Sequence, residues 1–273
     1  MDIIDQPALN ENAYLSVDEV TRRGYRFEFG DYFNQAIEIL KGNVGAFALA
    51  TLVMFAIQIV GGILPFIGTF VGLFLTPGFY AGFVLMSHKA SLGEKPEVGD
   101  LFNGFRGGAY GRVLGTYLLT VVIMIALVLF VAVPIILAAG PNVQVLEQLA
   151  LDLSSGSKFD MDSLSGLFSN PDLLWLLILV FVGVIYLGVN LCLAMTFATL
   201  HSTSATEALK SSFRIVKGHW FWFLVFTWLL SICSTLGIIA LCVGILVTYP
   251  IAMIGIFSAF DQIMKGKHPI YPN

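Results

Sequence analysis

The sequence predicts an all-α, polytopic membrane protein with six crossing helices, and three observations carry that prediction. First, 57% of the residues are hydrophobic and only 12% are charged, with a mean hydropathy of +0.85. A soluble domain carries about 25% charged residues. A chain with half that share cannot cover itself with polar groups, so lipid must cover much of it. Second, six apolar runs come close to the roughly 20 residues that a crossing helix needs. Third, every lysine and arginine except Lys158 falls on one side of a six-helix topology.

The chain begins with "MDIIDQPALNENAYLSVDEV", which is acidic and has no apolar core. It does not read as a signal peptide, and residues 1–26 are expected to form an acidic cytoplasmic tail. A membrane domain follows over 27–271. Its first run, Val44 to Leu64, and its second, Ile67 to Ser87, are separated only by "PF" and must form a tight hairpin. The third run is Val113 to Leu137 and the fourth Leu173 to Thr196, with an outer loop over 140–172 between them. The fifth, Phe221 to Leu241, and the sixth, Val243 to Ile263, are nearly continuous around Gly237 to Gly244 and again require a hairpin. Arg22, Arg23, Arg26 and Lys41 precede the first run; Lys89, Lys95, Arg106 and Arg112 follow the second. Lys210, Arg214 and Lys217 precede the fifth, and Lys265 and Lys267 follow the sixth. The positive-inside rule then places both termini in the cytoplasm.

Each odd-numbered run is preceded by an amphipathic segment. "FEFGDYFNQAIEILK" puts Phe29, Phe33, Ala36, Ile37 and Leu40 on one face. "EVGDLFNGFR" does so with Val98, Leu101, Phe102 and Phe105, and "TEALKSSFRIVK" with Ala205, Ala208, Leu209, Phe213 and Val216. This spacing beside a crossing helix predicts three helices lying flat in the cytoplasmic interface. The expected unit is one interfacial helix and one hairpin, present three times. Its copies also share sequence: Pro77 aligns with Pro250, Gly82 with Gly255, Gly93 with Gly266 and Pro96 with Pro269, while "IEILKGN" resembles "FRIVKGH" upstream. Both copies run in the same direction, so the internal repeat is parallel.

The repeat locates the candidate sites. Pro77 and Pro250 fall near mid-membrane and each removes a backbone hydrogen bond. Thr76 and Thr248 are near enough to help satisfy the carbonyls of Leu73 and Leu246 that the prolines free. The kinks are either static packing features or hinges around a cavity. Gln58 and Asn190 are the most polar residues at depth, suited to bonding across helices or to lining a polar cavity. His88 and Asp261 occupy equivalent repeat positions near the cytoplasmic surface, as a proton-shuttling pair or as solvated helix ends. Gly68 and Gly72, Gly78 and Gly82, and Gly111 and Gly115 are each four apart, a spacing for close helix contact in a bundle or a dimer seam.

Other chemistry is absent from the sequence pattern. Cys192, Cys233 and Cys242 lie in apolar runs without metal-ligand spacing. Asp160 and Asp162 in the outer loop lack the glycine and distal glutamate of a calcium loop. No catalytic residue, metal or cofactor is expected, and a net charge of −4 gives no reason to expect nucleic acid.

"LTPGFYAG", "GEKPEVGDLFNGF", "ATEALKSSFRIVKGHW" and "GILVTYPIAMIGIFSAF" together span most of Asp31 to Pro269. With them the chain resembles a broad group of bacterial six-helix inner-membrane proteins without assigned activity. It is also similar to the membrane domain attached to some glycerophosphodiester phosphodiesterases, whose catalytic domain is not read here. The resemblance implies architecture and a bacterial inner-membrane location, not an activity. The expected role is non-enzymatic: packing with membrane lipids, other membrane proteins or a second copy. The alternative is a transporter or lipid-translocating protein with a cavity between the second and sixth crossing helices.

Overall fold

In the computed structural model of the protein, residues 14–62, 65–139, 171–201, 204–239 and 244–270 are described. They form nine α-helices and one 3-10 helix. The α-helices are α1 (Val17–Arg23), α2 (Phe29–Gly62), α3 (Pro65–Ser91), α4 (Gly107–Ala139), α5 (Pro171–Asn190), α6 (Ala194–Leu200), α7 (Ala205–Lys217), α8 (Trp220–Ile239) and α9 (Ile245–Met264). The 3-10 helix is Val98–Phe105. Six segments are long and apolar enough to cross a membrane: Phe29–Gly62, Val71–Ser91, Gly107–Val131, Ile178–Leu200, Trp220–Gly237 and Ile245–Met264. The chain is therefore a multi-pass membrane protein. Most of the outer loop, with Lys158, Asp160 and Asp162, and also Cys242 lie outside the described residues.

The described residues fall into two compact units, one from 1–119 with 189–273 and one from 120–188. In the second, Gly183 of α5 lets Leu127 of α4 approach, with 3.1 Å from a Cβ built on the glycine to the leucine Cδ2. The other faces of this pair carry Phe130, Trp175 and Phe181, exposed by 80%, 69% and 65%. Exposed aromatic side chains at this density on apolar helices belong against lipid or protein.

The first unit is built around α2, α3 and α9. Proline is the first residue of α3, where its missing N–H is unneeded. The first predicted interfacial helix is the beginning of α2, set off from the rest by a non-helical residue at Asn43 (φ −141°, ψ 25°). The Asn43 side chain donates to the carbonyl of Ile39 at 3.0 Å, replacing the hydrogen bond that the bend removes. The buried face of this stretch is Tyr32, Ala36, Ile39 and Leu40. Phe33 and Ile37, on the predicted apolar face, are half-buried. The third amphipathic segment is α7, begun by a Ser204–Glu207 capping box and buried through Ala208, Leu209, Ser212, Ile215 and Val216.

The second amphipathic segment differs more. It is a 3-10 helix, and it runs along α3. Lys89 pairs with Asp100 at 2.9 Å at one end, while at the other Phe105 closes on Gly78. Eight residues at about 2 Å rise match the length of α3 between Gly78 and Lys89 at about 1.5 Å per residue. Leu101 is fully buried and Phe102 is 39% exposed. Gly82 thus receives the Leu101 backbone and Gly78 the Phe105 ring, both from this segment. Of the other predicted glycine pairs, Gly68 of α3 abuts the carbonyl of Gly61 of α2, whereas Gly72 and Gly111 face open space.

Both α3 and α9 end in the same way. Glu94 N–H donates to Lys89 O at 3.2 Å and Gly93 N–H to Ala90 O at 3.0 Å. Lys267 N–H donates to Gln262 O at 3.1 Å and Gly266 N–H to Ile263 O at 3.0 Å. Gly93 and Gly266 have φ of 81° and 64°, the left-handed conformation that a Schellman cap needs and glycine supplies. These are the glycines paired by the sequence alignment.

Residues 14–26, read as part of a separate tail, belong to the packed unit. Tyr14, Val20 and Tyr25 are buried. Leu15 N–H donates to Met264 O at 2.7 Å and Arg26 N–H to His268 O at 2.8 Å, and Tyr25 forms an antiparallel bridge with Pro269. The segment is strapped across the end of α9 and over α7, where Tyr25 donates to Ile215 O at 2.8 Å and Arg214 pairs with Asp18.

Candidate functional site

The end where α2 begins and α3 and α9 finish, here the basic end, gathers ionisable residues from four parts of the chain. Asp261 on α9 is 1% exposed and His88 on α3 is 8% exposed. They are not solvated helix ends, as one sequence reading had them. The Tyr14 hydroxyl lies between them, donating to Asp261 Oδ1 at 2.9 Å and standing 3.2 Å from His88 Nδ1. A hydroxyl has one hydrogen, and here Asp261 takes it. His88 must then offer its Nδ1–H to the tyrosine oxygen. Burial, and after it the Asp261 charge, hold the Tyr14 hydroxyl well above its usual range. It therefore stays protonated and keeps donating.

Asp261 has further partners. Lys265, one turn on, reaches Oδ1 at 2.8 Å, and its ammonium lies 5.8 Å from the centre of the Tyr14 ring. Gln35 of α2 donates to Oδ2 at 3.2 Å. Gln262 donates to Gln35 Oε1 and, at 3.1 Å, to Asp31 O. His268 stands 3.2 Å from Gln262 Oε1 and 3.2 Å from Asp31 Oδ2. One polar network thus ties α2, α3, α9 and the N-terminal strap together. An aromatic shelf backs it, with Phe260 edge-on to Tyr14 at 5.6 Å and Phe257 edge-on to His88 at 6.1 Å. Beside it, burial pushes the His219 imidazole below its usual range, where it faces the Tyr25 ring at 4.4 Å.

The other predicted residues lie elsewhere. Helix α3 is assigned without interruption through Thr76 and Pro77, and α9 through Thr248 and Pro250; both prolines are buried. Thr248 does not serve Leu246. Its hydroxyl donates toward Gly244 O at 3.1 Å and Ser234 O at 3.3 Å, tying α9 to α8. Between α3 and α9 near the prolines, Phe83 and Tyr249 meet edge-on at 5.7 Å. Gln58 is half-buried on α2. Asn190 is fully buried but is not mid-helix: the expected fourth crossing helix breaks after it, into α5 and α6. The Asn190 carbonyl accepts from Ser212 of α7 at 2.7 Å. The hydroxyls of Thr227, Ser231 and Thr235 donate to carbonyls four residues back on α8, as the sequence allowed.

Sequence reasoning found His88 and Asp261 but missed Tyr14, Gln35, Gln262 and Lys265. Tyr14 is 74 residues from His88 and 247 from Asp261, and no local pattern links them. The arrangement suits holding helix ends in register. A chemical step has less to work with, since both Asp261 oxygens are engaged. Among the described residues no group of three or more His, Cys, Asp and Glu could hold a metal ion. Two adjoining clefts open beside the network, of about 440 and 390 Å³, and both are lined by Gln35, Glu38 and Lys267. No protein-family model, curated protein or solved structure matches the chain.

Tyr14→Phe is expected to cost about 1–2 kcal/mol, because it leaves His88 and Asp261 each short of a buried partner. The measurement is thermal unfolding in a mild detergent. An unchanged melting temperature would show that the strap does not need this hydroxyl.

Proposed function

We propose that the protein is a non-enzymatic integral membrane protein of a bacterial inner membrane. It packs against other membrane proteins, or a second copy of itself, and orders lipid, with its basic end and both termini in the cytoplasm. The observation that carries the reading is the contrast between inside and outside. The polar network is closed on itself, while large apolar side chains stand outward, including Phe221 at 60% and Trp228 at 68% exposure on α8. Deep ionisable groups in membrane proteins mark pathways when they line water or pair loosely; here Asp261 is bonded on both oxygens. The shared caps of α3 and α9 support the parallel repeat, and the one-sided placement of the lysines and arginines supports the orientation. The translocation alternative has less support, since Phe83 and Tyr249 occupy the place where its cavity was expected.

Native mass spectrometry of the protein, gently extracted from its own membrane, tests this. A fixed stoichiometry with a second protein chain is expected. Recovery of single chains only, together with flux of lipid or small solutes in liposomes, would replace this reading with transport.

A further inference from the structure

The two clefts at the basic end share Gln35, Glu38 and Lys267, so they form one trench. Its walls are the first part of α2, the last turn of α3 at Ala90 and Ser91, and the tail after α9 at Lys267 and His268. The charges along it are not equally committed. Asp31 is taken by His268, and Gln35 by Asp261 and Gln262. Glu38 and Lys267, both exposed, make no ion pair among the described residues, with each other or with anything else. A trench of this volume is within the range of small-ligand sites. It holds one free carboxylate and one free ammonium on separate walls. A ligand with both signs of charge would satisfy both.

Helix α2 also says where such a ligand would come from. Exposed residues line one face on each side of its break at Asn43: Asp31, Asn34 and Glu38 before it, and Gly45, Leu49, Leu52, Ala56 and Ile59 after it. Steps of three and four keep each set on one face, and Gly42 and Asn43, which line the trench, join the two sets. The stripe is polar up to Lys41 and apolar from Val44 onward. A molecule lying along it has its polar end in the trench and its apolar end on Leu49, Leu52 and Ala56. At about 1.5 Å per residue, Glu38 to Leu52 spans roughly 20 Å, about a head group and the first part of an acyl chain.

We propose that this trench binds the phosphoethanolamine head group of a membrane phospholipid, its ammonium on Glu38 and its phosphate on Lys267. A primary ammonium donates hydrogen bonds to a carboxylate, which a choline head group cannot do, and a purely anionic head group leaves Glu38 opposed by like charge. The site rests on the reading of the chain as a membrane protein that orders lipid, but not on its having a protein partner.

The test uses the full chain in a mild detergent, stripped of lipid and offered phosphatidylethanolamine, phosphatidylcholine or phosphatidylglycerol with the same acyl chains. Retained lipid is counted by native mass spectrometry. The wild type is expected to hold phosphatidylethanolamine in preference to both others. Glu38→Gln is expected to weaken that retention about tenfold, the loss of one charge-assisted hydrogen bond. Lys267→Gln should weaken phosphatidylethanolamine and phosphatidylglycerol alike. Both side chains are exposed, so the melting temperature should not move. Equal retention of the three lipids, or a preference that survives both substitutions, would overturn the site. Displacement of the lipid by water-soluble phosphoethanolamine would reassign it to a free metabolite. A lipid preference with no co-extracted protein would sustain the site while removing the partner-packing reading.

Discussion

Asp261→Ala is expected to lower stability by about 3 kcal/mol, the scale on which removing one member of a buried charge pair acts. Asp261 is 1% exposed and receives Tyr14, Lys265 and Gln35. Its loss leaves the tyrosine hydroxyl and the glutamine amide without their acceptor in a buried place. The lysine is partly exposed, at 27%, and can turn to water, which keeps the cost near the low end for such pairs. Because the same carboxylate holds α2, α9 and the strap, the effect should extend beyond α9. Thermal unfolding in detergent measures the cost, and limited proteolysis near residues 14–26 reports whether the strap is released. Asp261→Asn keeps the shape and most of the hydrogen bonds and should recover about half the loss. If Asp261→Ala melts like the wild type, the network does not hold the helix ends.

Gly82→Val is expected to destabilise by about 3 kcal/mol, at the upper end of overpacking costs. A Cβ built on Gly82 would lie 2.0 Å from the carbonyl oxygen of Leu101, and one built on Gly104 would lie 2.0 Å from Gly78 O. The obstacles are backbone atoms, so no side-chain rotation relieves them. The 3-10 helix would have to lift off α3, and Leu101 and Phe105 would lose their sites. Without a hydrophobic drive between helices in lipid, close van der Waals contact of this kind is what holds them together. Gly72→Ala is the control: nothing lies within 4 Å of a Cβ there, and the exchange removes a helix-interior glycine at a gain of up to about 1 kcal/mol. Equal melting temperatures for Gly82→Val and Gly72→Ala would contradict the seating of the 3-10 helix on α3.

The contrast between these glycines shows where sequence reasoning stops. Spacing four apart identifies a face of small residues, but Gly78 meets the Phe105 ring and Gly82 the Leu101 backbone, while Gly72 meets nothing. What approaches a small-residue face depends on a distant segment. The same holds for the amphipathic faces. Hydrophobicity marks an apolar face on this stretch, while the face that the fold buries is Tyr32, Ala36, Ile39 and Leu40. The polar ends of Tyr32 and its neighbours have partners that a hydrophobicity pattern does not see. Asn190 makes a related point. A continuous apolar run does not show a break that is repaired from another helix, here by Ser212.

The sequence by itself determined the multi-pass character and the six apolar segments, and it paired the two glycines that cap α3 and α9. Each of these is set by burial cost or backbone conformation over a few adjacent residues, so local chemistry suffices. Only the tertiary structure decided that Tyr14 joins His88 to Asp261, that residues 14–26 are strapped to the helix ends, and that the second amphipathic segment lies along α3. These contacts link residues 74 to 247 positions apart or place one backbone against another. A single hydrogen bond has no periodicity, and its partner can be anywhere along a chain that the fold brings back to the same end.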